Sequence, residues 1–128
     1  MLKYGFTKTV GEPFDHVVER TKQELQREGF GVLTSIDLRE KFKEKLGIEF
    51  RKYVILGACN PTFAHQAITI EENIGLMLPC NVVVYEKDGK TAVSIIKPTV
   101  AMSMIQDEQL LEVAQKVEQK LKKVFESI

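Results

Sequence analysis

The sequence has few cysteines and no long apolar run. Its 128 residues include two cysteines, too few for a disulfide scaffold, so we expect free thiols and a location in the reducing cytoplasm. No stretch approaches the ~18 to 20 consecutive apolar residues that a membrane span requires, and the first residues lack the basic-then-apolar pattern of a signal peptide. These absences argue against secreted and membrane-spanning proteins, and we expect no membrane partner.

An excess of charge of one sign is missing as well. Eighteen basic and eighteen acidic residues cancel, whereas proteins dedicated to nucleic acids usually carry a clear positive excess. The most basic segment, residues 39–52, also contains acidic residues and lacks the interleaved aromatic platform of RNA-binding modules. We therefore interpret this segment as a solvated helix face and expect no nucleic-acid partner.

The chain has the length and the hydrophobic share of a folded domain. Hydrophobic residues make up 44% of the sequence, which is normal for a globular protein. No linker, repeat or low-complexity stretch divides residues 1–128. The sequence therefore predicts a single domain over its whole length.

Hydrophobic periodicity predicts the elements and their order. Alternation of apolar residues and hairpin signals indicate strands over residues 4–10, 32–37, 80–86 and 90–97. Residues 53–59 are apolar on both faces and are predicted to form an interior strand that helices cover on at least one side. Helical spacing indicates helices over residues 13–28, 38–46 and 107–125, with a further helix that begins at residues 60–61. Residues 73–79 are interrupted by Gly and Pro and are interpreted as a packed loop. The order β-α-β-α-β-α-β-β-α predicts an α+β domain whose helices pack on a mostly antiparallel sheet.

Local signals mark where some of these elements begin. Asp37 and Glu40 have the spacing of a capping box, with Asp in place of Ser or Thr. Asn60 followed by Pro61 is typical of an N-cap and a first helical position. The Asp-Gly pair at residues 88–89, between two alternating apolar runs, predicts a β-hairpin.

The middle of the chain resembles a known bacterial family. The runs Gly-Ala-Cys-Asn-Pro (57–61), Ala-His-Gln-Ala-Ile (64–68) and Ile-Gly-Leu-Met-Leu-Pro-Cys-Asn-Val-Val-Val (74–84) are similar to those of domain of unknown function 302, whose structurally known members are the TT1751-like proteins. The resemblance covers nearly the whole chain. It implies a compact α+β fold with helices on one face of a curved antiparallel sheet, a TATA-binding-protein-like arrangement. It implies no reaction, because shared fold does not establish function.

The most specific of these runs predict a cleft. Residues 59–61 pass from a strand into a helix, and residues 79–81 open the next strand. A helix N-terminus presents free N–H groups and a positive dipole end, which suits an anion or a polarised oxygen and lowers the pKa of a nearby thiol. We hypothesise a small-ligand or partner site at which four side chains converge: Cys59, Asn60, Cys80 and Asn81. In the alternative interpretation, the cysteines only fill the core, Asn60 only caps a helix and Asn81 fixes a turn.

A thiol-dependent or metal-dependent enzyme that uses Cys59, Cys80 and His65 is the alternative function. Three such side chains could leave an open metal position, as catalytic zinc sites do. However, neither a Cys-x-x-Cys nor a His-x-x-x-His motif is present, and we expect His65 to face solvent. We therefore favour a noncatalytic module without metal or cofactor.

The chain is also expected to form a homodimer. Residues 100–105 are apolar, and with the long C-terminal helix they predict more exposed apolar surface than a small monomer usually has.

Overall fold

The computed structural model describes residues 2–128, which form an open five-stranded sheet with helices. The strands are β1 (Gly5–Val10), β2 (Gly31–Asp37), β3 (Tyr53–Cys59), β4 (Cys80–Lys87) and β5 (Lys90–Ile96). The α-helices are α1 (Phe14–Arg27), α2 (Leu38–Leu46), α3 (Pro61–Ile70), α4 (Pro98–Ala101) and α5 (Glu108–Ser127). The strand order is β1-β5-β4-β3-β2, and each neighbouring pair is antiparallel. The predicted α+β class and element order are confirmed.

The hairpin and the helix starts form where the local signals place them. Asp88 and Gly89 both have positive φ values, 50° and 76°, as a two-residue hairpin turn with the right twist requires. The Asp37 side chain accepts a hydrogen bond from the Glu40 N–H at 3.1 Å, so the predicted cap of α2 is formed. Short-range chemistry therefore fixes these boundaries before any long-range packing.

One face of the sheet carries the helices and the core. Alternate strand residues point to this face and pack under α1 and α5: Leu56, Val82, Val84, Val93 and Ile95. The helix α5 contributes a buried stripe at helical spacing: Leu110, Val113, Ala114, Val117, Leu121 and Val124. Full burial of one such aliphatic side chain stabilises the fold by about 1.5–3 kcal/mol. This covered face gives the domain its hydrophobic core.

The opposite face of the sheet is open. Strand pairing aligns Ile36, Ile55 and Val83 in one row across β2, β3 and β4, and none of the three is fully buried. In the adjacent row, the rings of Tyr53 and Tyr85 stack with their centroids 5.2 Å apart. A depression of about 510 Å³ follows this face.

One predicted loop contains a short helix, and the apolar side chains of residues 100–105 are exposed only in part, at Val100 and Met104. The loop predicted over residues 73–79 contains a 3₁₀ helix, Glu72–Met77, because the Glu71 carboxylate accepts from the Asn73 N–H and Ile74 inserts into the core. The apolar residues 100–105 form the end of α4 and a second 3₁₀ helix, Ser103–Ile105. Met102 and Ile105 in that segment pack against the core.

The segment from β2 through α2 is packed differently from the rest of the chain. Within residues 31–50, which we call the β2–α2 arm, every residue is at least partly exposed. The helix α2 buries none of its nine residues, whereas α1 buries Phe14, Val17, Thr21 and Leu25. The arm therefore has regular secondary structure without a core of its own.

None of the helices in residues 2–128 combines the length and the apolar character needed to cross a bilayer.

Candidate functional site

A small apolar cavity lies where β3 and β4 meet the helices. The antiparallel register places Ala58 of β3 opposite Cys80 of β4, and both line the cavity together with Cys59 and Asn60. Its volume is about 30 Å³, enough for one or two water molecules or a methyl-sized group. The geometry thus brings Cys59, Asn60 and Cys80 together in one place.

The other walls of the cavity come from distant parts of the chain. Phe30 follows α1, and Phe63, Ala64 and Ala67 belong to α3. The remaining walls are Leu78, Pro98, Met102 and three residues of α5, Val113, Ala114 and Val117. Sequence reasoning missed these lining residues, because periodicity identifies a buried stripe but not the element that the stripe contacts.

Asn60 joins the start of α3 to the end of α1. Its Oδ1 accepts a long hydrogen bond from the Phe63 N–H, at 3.5 Å, and Pro61 is the first helical residue. Its Nδ2 lies against Gly29, where an added Cβ would be only 3.0 Å away. Gly29 has a φ of 85°, a left-handed conformation that glycine adopts without strain. The cap of α3 and the turn after α1 therefore depend on each other.

Both thiols in the cavity hold their protons more tightly than usual. Burial raises the pKa of Cys80 to about 11, and the nearby Cys59 adds to the shift. Burial also raises the pKa of the half-buried Cys59. The hypothesis of a thiol activated by the α3 N-terminus predicts the opposite direction, a lowered pKa, so burial and not activation governs these thiols. Both cysteines are neutral thiols at neutral pH.

Asn81 is separated from the other three predicted residues. It follows Cys80 in β4, and successive side chains of a strand point to opposite faces. Asn81 is exposed and lines the depression on the open face. It also borders a groove of about 220 Å³ at the end of the strand, which shares Cys80, Pro98 and Met102 with the cavity. Asn81 therefore touches the approach to the cavity and not its interior.

His65 lies in a different groove from the cysteines. It is exposed on α3, as expected, and faces Gln109 and Glu112 of α5 across a groove of about 430 Å³. Across residues 2–128, the His, Cys, Asp and Glu side chains do not gather in any group of three that could hold a metal ion. His65 therefore does not line the cavity that holds the two thiols.

Comparisons with known proteins agree on one family. A family model described as domain of unknown function DUF302 matches residues 6–128. A crystal structure of an uncharacterised conserved DUF302 protein from Bacillus stearothermophilus is 34% identical in sequence. It superposes with a TM-score of 0.91, and the match covers 98% of each chain. No match was found among curated proteins.

Proposed function

The chain belongs to the DUF302 family, a family of unknown function, and from the geometry of its cavity we propose a noncatalytic binding module. The module takes a small ligand, or a small group of a partner, at the cavity formed by Cys59, Asn60 and Cys80. The observation that carries this proposal is the presence of two neutral, desolvated thiols in one apolar cavity beside a helix N-terminus.

The chemistry of the cavity favours a compact ligand with a short apolar end. The lining is almost entirely apolar, and apolar cavities bind small apolar groups without the cost of displacing ordered water. The cavity and the adjoining groove, of about 30 and 220 Å³, are together smaller than the ~300 Å³ of ordinary drug-sized sites. Met102 borders both spaces, and its flexible side chain can move to join them.

The state of the thiols argues against the enzyme alternative. A thiolate, not a thiol, attacks substrates and binds metals. With the pKa of Cys80 raised to about 11, the thiolate fraction at neutral pH is very small. A catalytic cysteine is normally activated by a nearby base, and His65 lies in the groove between α3 and α5 instead. The proposal therefore assigns the cysteines to packing around the ligand.

The proposal also includes the setting in which the module works. Two free cysteines, one of them buried, suit the reducing cytoplasm, where we place the protein. We further propose that two copies associate as a homodimer, since large apolar side chains stay exposed on the single chain.

Amide NMR spectra test the proposal with three compounds, isobutanol, isobutyramide and isobutyrate, which we call the isopropyl compounds. They share an apolar isopropyl end and differ in the polar group attached to it. We expect at least one of them to shift the signals of Ala58, Cys59 and Cys80. Ala64→Leu, which extends a side chain into the cavity, should abolish the shifts. Thr62→Leu is the control, because Thr62 is exposed on the same helix and does not line the cavity.

Two results would contradict the proposal. The cavity is not a binding site if none of the three compounds shifts any cavity signal. The site lies elsewhere if Ala64→Leu binds the compounds as well as the wild type does.

A further inference from the structure

The β2–α2 arm exposes large apolar side chains on regular secondary structure. The exposed fractions are 67% for Leu33, 41% for Ile36, 65% for Leu46 and 48% for Ile48. These residues come from one strand, one helix and the loop after it, and they lie within twenty consecutive residues of which none is buried. Single apolar side chains on a surface are ordinary; here four of them lie in one segment that the rest of the chain does not bury.

The arm holds its shape through local contacts. Its helix is capped at both ends, by Asp37 and by Gly47 in the left-handed conformation, and Phe42 packs edge-on against Phe50 with centroids 5.1 Å apart. However, helices shorter than about 12–15 residues are marginal in water, because most helical stability comes from packing of an apolar face. The nine-residue α2 therefore has caps but little of the burial that usually stabilises such a helix.

The arm also contains one edge of the sheet, strand β2. Natural edge strands are usually blocked by Lys, Pro, inward charges or a β-bulge; β2 has neither Lys nor Pro, and a bulge is present near its start. A bulge between Val32 and Thr34 leaves residues 34–37 as a regular stretch. The other edge strand, β1, carries Lys8, whose Nζ donates to the Phe125 carbonyl at 2.6 Å and ties that edge to α5.

The charges of the arm suit a copy of the same chain. The helix α2 carries both signs, with Lys41 close to Glu44 and Lys43 close to Glu49, each pair at 3.8 Å. A surface of mixed sign does not repel itself when two copies meet. A nucleic acid, in contrast, needs a positive surface that neutralises phosphates.

We propose that the β2–α2 arm is the surface on which a second copy of this chain docks, with the two β2 strands antiparallel across a two-fold axis. The one charge of β2, Asp37, lies at the end of the strand, so a two-fold axis through the middle of β2 places the two Asp37 side chains at opposite ends of the new strand pair. This inference names the surface of the homodimer and rests on that part of the proposed function.

Sedimentation equilibrium of two charge-matched double variants tests the inference. Ile36→Lys with Leu46→Lys places two cations on the arm. Leu76→Lys with Met104→Lys is the control, because these residues are 90% and 73% exposed outside the arm. We expect the wild type and the control at twice the 14.6 kDa of the chain, and the arm variant as a folded monomer by circular dichroism.

Three outcomes would overturn the inference. The inference fails if the wild type sediments as a monomer of 14.6 kDa at tens of micromolar. A dimeric arm variant with a monomeric control would move the interface to the surface around Met104. A monomeric wild type that binds labelled single-stranded DNA would assign the arm to a nucleic acid.

Ligand binding separates this inference from the proposed cavity site. The three isopropyl compounds should shift the cavity signals of the monomeric arm variant as they shift those of the wild type. If the cavity signals respond and no dimer forms, the inference alone fails. If a dimer forms and no compound binds, the proposed site alone fails.

Discussion

The helices α2 and α5 have similar sequence signals and opposite surroundings. Each begins after an aspartate whose carboxylate accepts from the N–H three residues later, Asp37 at 3.1 Å and Asp107 at 3.0 Å. Each has apolar residues at helical spacing. However, α5 buries six residues against the sheet and its neighbouring helices, and α2 buries none. Local signals therefore determine where a helix forms. The position of the helix in the fold determines whether other parts of the chain bury its apolar side chains.

The same difference separates the strands. The central strands β4 and β5 have neighbours on both sides and alternate buried residues beneath α1 and α5. Strand β2 lies at the edge, and all but one of its residues are exposed. The covered region thus holds the buried core and encloses the cavity, whereas the arm stays exposed.

The largest expected effect compares one leucine from each helix. Leu121 of α5 is fully buried and Leu46 of α2 is 65% exposed. Leu121→Ala should reduce the free energy of unfolding by about 2–5 kcal/mol, the usual cost of a large-to-small change in a core. Leu46→Ala should change it by about 0.5 kcal/mol or less, as for surface sites. Urea unfolding measures both changes in an Ile36→Lys background, at a concentration where sedimentation shows that background to be monomeric, and equal losses would contradict the division between arm and core.

The next effect concerns the buried thiol of the covered region. The pKa of the Cys80 thiol is about 11 in the folded protein and 9.0 without burial. The native state therefore holds the thiol proton more tightly than the unfolded state does. Below pH 9 this thiol should not change the free energy of unfolding. As the pH rises from 9 towards 11, the free energy of unfolding should fall by about 3 kcal/mol. Subtracting the pH profile of Cys80→Ala removes the titration of Tyr and Lys residues. A parallel profile for the variant would mean that Cys80 is accessible to solvent.

A somewhat smaller effect is expected at Gly57, where the open face is most tightly packed. A Cβ at this position would lie 2.2 Å from Thr34 Oγ1 and 2.8 Å from Pro79 Cγ. Gly57→Ala should therefore destabilise the protein by about 1–3 kcal/mol through overpacking. Gly75→Ala is the matched control, because no heavy atom lies within 4 Å of its added Cβ. Thermal unfolding distinguishes the two, and equal melting temperatures would show that Thr34 and Pro79 yield without cost.

The smallest effect is expected at Asn60. Its capping hydrogen bond is long, 3.5 Å, so Asn60→Ala should cost about 0.5 kcal/mol, the low end for an N-cap. Asn60→Asp keeps the capping oxygen but removes the amide donor. This variant should therefore be as stable as the wild type and should bind the isopropyl compounds less well. If Asn60→Asp binds all three unchanged, its amide takes no part in the site.

Much of the fold could be predicted from the sequence. A run that is apolar on both faces places β3 at residues 53–59, as observed, and the Asp-Gly pair gives the hairpin. The pairing of β3 with β4 could not be predicted in this way, because the helix α3 separates them in the chain. That pairing brings Ala58 opposite Cys80 and thereby creates the cavity.

The site could be predicted only in part, for a related reason. Cys59, Asn60 and Cys80 share the cavity because each lies at the end of an element at the same end of the sheet. Asn81 follows Cys80 within a strand, so the period of two already indicated that it faces the other way. The direction of the thiol pKa shifts depends on burial by α3 and α5, which no spacing in the sequence reveals.

A dilution series followed by isoleucine methyl NMR tests the central claim that the arm, and not the covered region, meets a second copy. Ile36 and Ile48 report on the arm, and Ile74 and Ile95 report on the core. The account predicts that the methyl signals of Ile36 and Ile48 shift as the protein is diluted through the dimer–monomer transition, while those of Ile74 and Ile95 stay in place. Shifts confined to Ile105, or no shifts at any concentration, would contradict it.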